Sequence, residues 1–153
     1  MANFLELGEL WPTVRDRPSP FIPVLQGWSI GDYLRCAEKY EAAGVRLADQ
    51  TVVVLGSVCR RQNTIVTGAI VTLFADELRP HGFEVKTKGL AAYGSQLNSA
   101  DSLAWSLDAR RSVPLPGHSH KSCANCLEYA SDWRSDLLDQ MQSAGRRIHT
   151  QAA

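Results

Sequence analysis

Apolar positions along the chain fall into short unbroken runs separated by longer stretches with helical spacing. Phe21-Ile-Pro-Val-Leu25 is a brief apolar run that ends at Gln26-Gly27, as a buried strand should. From Ser29 the period becomes helical, with Ile30, Tyr33, Leu34, Ala37 and Tyr40 on one face. Ser29 with Asp32 predicts a capping box at its start, and Gly44 predicts its stop. Thr51-Val-Val-Val-Leu55 is β-branched and lacks alternation, so it reads as a strand covered on both faces; it ends at Gly56-Ser57. A second helix is predicted over 65–79, with Ile70, Leu73, Phe74 and Leu78 inward and Pro80 closing it. Phe83 to Lys86 reads as a third strand, 91–98 as a short helix, and Ala100 to Leu107 as a fourth strand with the turn beyond it. Residues 112–122 read as loop, and Leu127 to about Ala144 as a helix carrying Tyr129, Trp133, Leu137, Leu138 and Met141 on one side.

This alternation predicts an α/β fold with parallel strands joined by helical crossovers. Three regions follow: a lead-in over 1–20, a βα region over 21–112, and a loop with a final helix over 113–153. In such folds ligands sit at the C-terminal ends of the strands. There this chain offers Gln26-Gly27, Gly56-Ser57, Lys86 and Asp101-Ser102.

Composition narrows the setting. A chain of 153 residues suits one domain. Sixteen Lys and Arg balance sixteen Asp and Glu, which argues against a polybasic coat or an acidic tail. No apolar run approaches the roughly 18 residues of a membrane span, and the opening Met-Ala-Asn-Phe-Leu-Glu-Leu lacks the basic start of a secretory signal. A cytoplasmic protein with no membrane partner is therefore expected, whose four cysteines are thiols or metal ligands, not disulfides.

Three groups of residues bear chemistry. Gln26 offers a carbonyl acceptor and an amide donor suited to the edge of a heterocyclic base, and Gly27 lets a flat ligand approach the backbone. Asp101 suits a nucleophile, a general base or a cation ligand; the plainer alternative for both polar residues is capping of the element that follows. His118-Ser-His120-Lys-Ser-Cys123-Ala-Asn-Cys126 gathers imidazoles and thiols in a loop before a helix, a donor set that suits tetrahedral zinc. Cys123 and Cys126 are the firmest ligands, His120 the third, and His149 or His118 the fourth. Cys36 and Cys59 read as ordinary thiols. Three basic pairs, Arg60-Arg61, Lys86 with Lys88, and Arg110-Arg111, follow predicted strand ends; they suit phosphate contacts or, more plainly, a solvated surface.

Together these residues resemble the tRNA-guanine transglycosylase superfamily, and most closely its branch that inserts 7-deazapurines into DNA. Pro23-Val-Leu-Gln-Gly27 with Tyr33-Leu-Arg35 is similar to the family element whose Gln helps bind the purine. Gly56-Ser-Val58 resembles the strand end that hydrogen-bonds the base through its backbone. Asp101-Ser-Leu-Ala-Trp-Ser-Leu-Asp-Ala-Arg110 resembles the segment whose Asp is the nucleophile, and Cys123-Ala-Asn-Cys-Leu-Glu-Tyr129 the zinc motif. At the third strand Glu84 stands where the resemblance leads one to expect glycine or a small residue.

The resemblance spans Phe21 to about His149 and implies a (β/α)8 TIM-type barrel of which this chain supplies the C-terminal half. It implies base exchange: Asp101 attacks C1′, guanine leaves, and a 7-deazaguanine takes its place, in DNA by preference or in tRNA. Gln26, Gly27, Gly56, Ser57, Lys86 and Arg110 would bind substrate. Structural zinc would be held by His120, Cys123, Cys126 and His149, with His118 as the alternative fourth ligand. The acid/base Asp is expected on a separately encoded N-terminal half, and the partners are that half or a homodimer. The alternative functions are a non-catalytic zinc-containing subunit that binds nucleic acid, or an inactive remnant.

Overall fold

The computed structural model of the chain describes residues 2–14, 19–58 and 65–151, with side chains described for 2–12, 19–58 and 65–143. Six helices and four short strands are described: α1 (Ala2–Val14), β1 (Val24–Leu25), α2 (Ile30–Ala42), β2 (Val53–Leu55), α3 (Ile65–Ala75), β3 (Pro80–Gly82), α4 (Thr87–Tyr93), β4 (Ser99–Ala100), α5 (Ala104–Ala109) and α6 (Leu127–Gln151). The strands form one sheet in the order β1-β2-β3-β4, every pair parallel. Spatial order thus follows chain order, with no reversal. Among the described residues no helix is long and apolar enough to cross a membrane.

The predicted α/β alternation and parallel strands are both present. Val53, Val54 and Leu55 of β2 are all buried, as the unbroken apolar run requires of a strand covered on both faces. Around them Leu25, Tyr33, Tyr40, Val58, Ile70, Val71, Phe74, Val85 and Leu90 form the core. Helix α2 packs on α3, α3 on α4, and α4 on α6, so the crossover helices form a layer beside the sheet. Ser29 and Asp32 make the predicted capping box, each side chain accepting from the other residue's amide, and Gly44 leaves the helix with φ +80°.

Three elements differ in their boundaries from the sequence expectation. The third strand is Pro80–Gly82, and Phe83-Glu84 is the turn after it. Proline is tolerated at the first position of a strand, and the Pro80 carbonyl accepts from Asn98 N–H at 2.9 Å. Pairing with β2 and β4 places this segment, not its own β propensity. The fourth strand is only Ser99–Ala100, and α5 follows where strand and turn were expected. The helix predicted over 91–98 begins earlier, at Thr87, and ends in a 3-10 turn over Gly94–Gln96.

Candidate active site and metal centre

The four strands end side by side at Leu25, Leu55, Gly82 and Ala100, so the residues just beyond them share one edge of the sheet. Gln26 follows β1 and lies over Gly56, which follows β2; a Cβ on Gly56 would stand 3.0 Å from Gln26 Cγ and 3.3 Å from its Nε2. Gly56 is there because the glutamine side chain needs its space. Its N–H donates to Leu25 O at 2.9 Å and its carbonyl accepts from the Tyr33 hydroxyl. Of the backbone groups expected to meet a base, the Gly56 N–H is therefore committed to the β ladder, which leaves Gly56 a second carbonyl lone pair. Ser57, next in line, has φ +63°.

Asp101 stands directly after β4. Its Oδ1 accepts from the Glu84 N–H at 3.0 Å and lies 3.1 Å from His81 Nε2. His81 Nδ1 in turn lies 2.9 Å from Ser99 Oγ. Glu84 reaches Asp101 because its φ of +51° turns its amide toward the carboxylate; this left-handed conformation is the one glycine adopts freely. His81 was missed by sequence reasoning, since the pattern put the strand three residues later. Parallel pairing of His81 with Ser99 supplies a signal that only the correct register reveals.

The structure therefore makes two groups, Gln26 with Gly56 and Asp101 with His81 and Glu84. They occupy the ends of β1–β2 and β3–β4. Three interstrand steps of about 4.8 Å separate β1 from β4, or about 14 Å across a flat sheet, so Asp101 and Gln26 share an edge without touching. Lys86 is not a strand-end residue as expected; it is the exposed N-cap position of α4. Arg110, also exposed, caps the far end of α5, a six-residue helix away from Asp101. Arg60, Arg61 and Cys59 lie outside the described residues.

The second centre lies in the loop before α6. His118, His120, Cys123 and Cys126 bring one donor atom each within 4.8 Å of one another. Cys123 is fully buried and its sulfur accepts from Leu115 N–H at 3.3 Å. Zn–N and Zn–S bonds of about 2.05 and 2.3 Å in a tetrahedron require N···N near 3.4 Å and N···S near 3.6 Å. Here His118 Nδ1 lies 3.2 Å from His120 Nε2 and 3.7 Å from Cys126 Sγ, and His120 Nε2 lies 3.0 Å from Cys123 Sγ. His118 Nε2 points the other way, 3.0 Å from Glu128 Oε2, the carboxylate–histidine pairing that fixes a ligating imidazole. These four residues fit a tetrahedral metal ion. His118, the alternative fourth ligand, is in this group. Position 149 is 22 residues beyond Leu127 along α6, about 33 Å at 1.5 Å per residue, and its side chain lies outside the described residues.

No curated protein and no solved structure matches this chain. The family described as DpdA, DeoxyPurine in DNA protein A, matches residues 1–152, nearly the whole sequence. The chain belongs to that family, the 7-deazapurine DNA-modification transglycosylases, a branch related to the tRNA-guanine transglycosylases.

Proposed function

We propose that this chain carries the nucleophile and half of the base pocket of a transglycosylase that replaces guanine in DNA by a 7-deazaguanine. The observation that carries the reading is the position of Asp101: at the C-terminal end of a parallel strand, with Oδ1 held by Glu84 N–H and His81. In this reading the carboxylate attacks C1′ and forms a glycosyl-enzyme as guanine departs; the deazapurine then attacks the same carbon. Two inversions give net retention, as in retaining glycosidases. DNA is the substrate favoured by the family; tRNA is the alternative.

The gap of about 14 Å between β1 and β4 suits a bound nucleoside lying across the strand ends. Its base would face Gln26, Gly27, Gly56 and Ser57, and its sugar Asp101. Lys86 and Arg110 would meet phosphates, which positions DNA without reading its sequence. Four parallel strands in unreversed order support the reading of half a (β/α)8 barrel, whereas a doubly wound sheet changes direction at a switch point. The proton donor for the leaving purine and the remaining strands belong, in this proposal, to an N-terminal half supplied by a separate segment or chain, or to a second copy. The cluster of His118, His120, Cys123 and Cys126 would hold structural zinc, since four protein ligands leave no position for water.

The test is exchange of labelled 7-deazaguanine into duplex DNA by the protein together with its N-terminal half. Asp101→Asn should abolish exchange and leave DNA affinity within about twofold, with any adduct on the wild-type protein mapping to Asp101. Exchange that survives Asp101→Asn overturns the proposal and favours a DNA-binding role without catalysis.

A further inference from the structure

Both hydrogen bonds to the Asp101 carboxylate converge on one oxygen. Glu84 N–H and His81 Nε2 meet Oδ1 at 3.0 and 3.1 Å, while Oδ2 takes no hydrogen bond among the described residues. A carboxylate can only accept, so the proton on this edge of His81 is on Nε2; the Nδ1 of a neutral ring then accepts from the Ser99 hydroxyl, 2.9 Å away. The imidazole is thus held at both nitrogens, and its orientation is set by β4 itself, since Ser99 and Asp101 flank Ala100 on the same strand end. The His81 side chain is 22% exposed against 46% for Asp101, so the ring backs the carboxylate and the acid faces outward.

We infer that His81 is a positioning residue: with the Glu84 amide it anchors Oδ1 and leaves Oδ2 as the oxygen that attacks C1′. This rests on the assignment of Asp101 as nucleophile and goes further, naming the attacking oxygen and the group that selects it. In the first step the Oδ2–C1′ bond forms as the C1′–N9 bond breaks, and the electron pair leaves with the purine. Oδ1 becomes the carbonyl oxygen of the ester and keeps both donors. In the second step N9 of the 7-deazaguanine bonds to C1′, and the Oδ2–C1′ pair returns to the carboxylate, whose charge the same donors receive. The incoming base gives up its N9 proton and the departing purine gains one, so no proton is consumed overall. Fixing one oxygen removes the rotation that would swap Oδ1 for Oδ2 at the reacting carbon, which is the kind of orientation that lowers a barrier without changing affinity.

Two measurements test this, the first without any reaction. In 15N-labelled protein the His81 ring should be the Nε2–H tautomer, and Asp101→Ala should turn it into a mixture of tautomers. An Nδ1–H ring, or one indifferent to Asp101→Ala, overturns the inference whatever the protein catalyses. The second is single-turnover formation of the glycosyl-enzyme on guanine-containing duplex DNA, with the N-terminal half present. His81→Ala should slow it about a hundredfold, the order seen for loss of one preorganised donor, with DNA affinity within twofold. His81→Gln, whose amide N–H reaches to the same place, should recover it to within tenfold. An unchanged rate in His81→Ala, or no recovery in His81→Gln, overturns the positioning role. An adduct that still forms in Asp101→Asn, or none in the unmodified protein, overturns instead the nucleophile assignment, while the tautomer measurement stands.

Discussion

At the scale of single residues, two backbone positions define the strand-end edge. Glu84 adopts φ +51°, a conformation that costs a residue with a Cβ on the order of 1 kcal/mol. Glu84→Gly should raise stability by about that amount in chemical denaturation while keeping the N–H that meets Asp101. The resemblance led to an expectation of glycine or a small residue there, and the left-handed turn is a conformation that glycine adopts freely. Gly56 behaves in the opposite way: a Cβ would press on Gln26 Cγ at 3.0 Å and Val24 Cγ1 at 3.2 Å. Because Gln26 is exposed, the glutamine gives way more easily than the strand. Gly56→Ala should therefore weaken base binding about tenfold, the loss of roughly one hydrogen bond, with little change in melting temperature; isothermal titration with the free base reads it. Asp101 was legible through the resemblance of its segment up to Arg110, because the Asn98-Ser99-Ala100 before it is no apolar run. His81 was not, because Pro80-His81-Gly82 carries no apolar run and takes its extended form from its neighbours.

Among the elements, α2 shows how far local chemistry alone specifies structure. Asp32 accepts from the amides of Ser29 and Trp28, from the Ser29 hydroxyl and from Arg35, and these bonds, the Ser29 amide foremost, hold its carboxyl well below the usual carboxylate range. A carboxylate depressed on folding stabilises the protein above its unfolded value near 3.9 and loses that contribution as pH falls below it. Asp32→Asn should accordingly flatten the acid limb of the stability curve between about pH 4 and pH 2, measured by thermal melts across that window. The capping box was readable as Ser29 followed three residues later by Asp32. The buried stripe was readable only in part: Tyr33 and Tyr40 are inward, but Ile30 and Leu34 of the same predicted face are exposed. Likewise Ile70 and Phe74 of α3 are buried while Leu73 is not. Periodicity names the apolar face of a helix; how much of it is covered depends on neighbours that no window of sequence contains.

For the whole molecule, the loop before α6 joins the two centres. A metal held by His118, His120, Cys123 and Cys126 should be found at one equivalent per chain by elemental analysis. His118→Ala should lower metal affinity strongly, Glu128→Gln by about 10–100-fold, and His149→Ala not at all. The C-x2-C and its histidines were evident from spacing, but the approach of His118 to both cysteines needed the folded loop. The parallel sheet was likewise legible, while its strand lengths were not. Ile65, Val113 and Leu127 are each at least 80% exposed, and among the described residues no further strand pairs with the outer edges of β1 and β4.

Glu128, which grips His118, lies in the first turn of the helix whose Trp133, Leu137 and Met141 line a 610 Å³ groove beside Ser99 and Ala100. Met141 rests on Gly94, at the head of the turn that leads into β4. An ion held by these residues would thus work like a tuning peg, its loss slackening the start of α6 and, through the groove, the strand end that aims the carboxylate. Chelation should therefore blur the His81 tautomer signal before the chain as a whole unfolds.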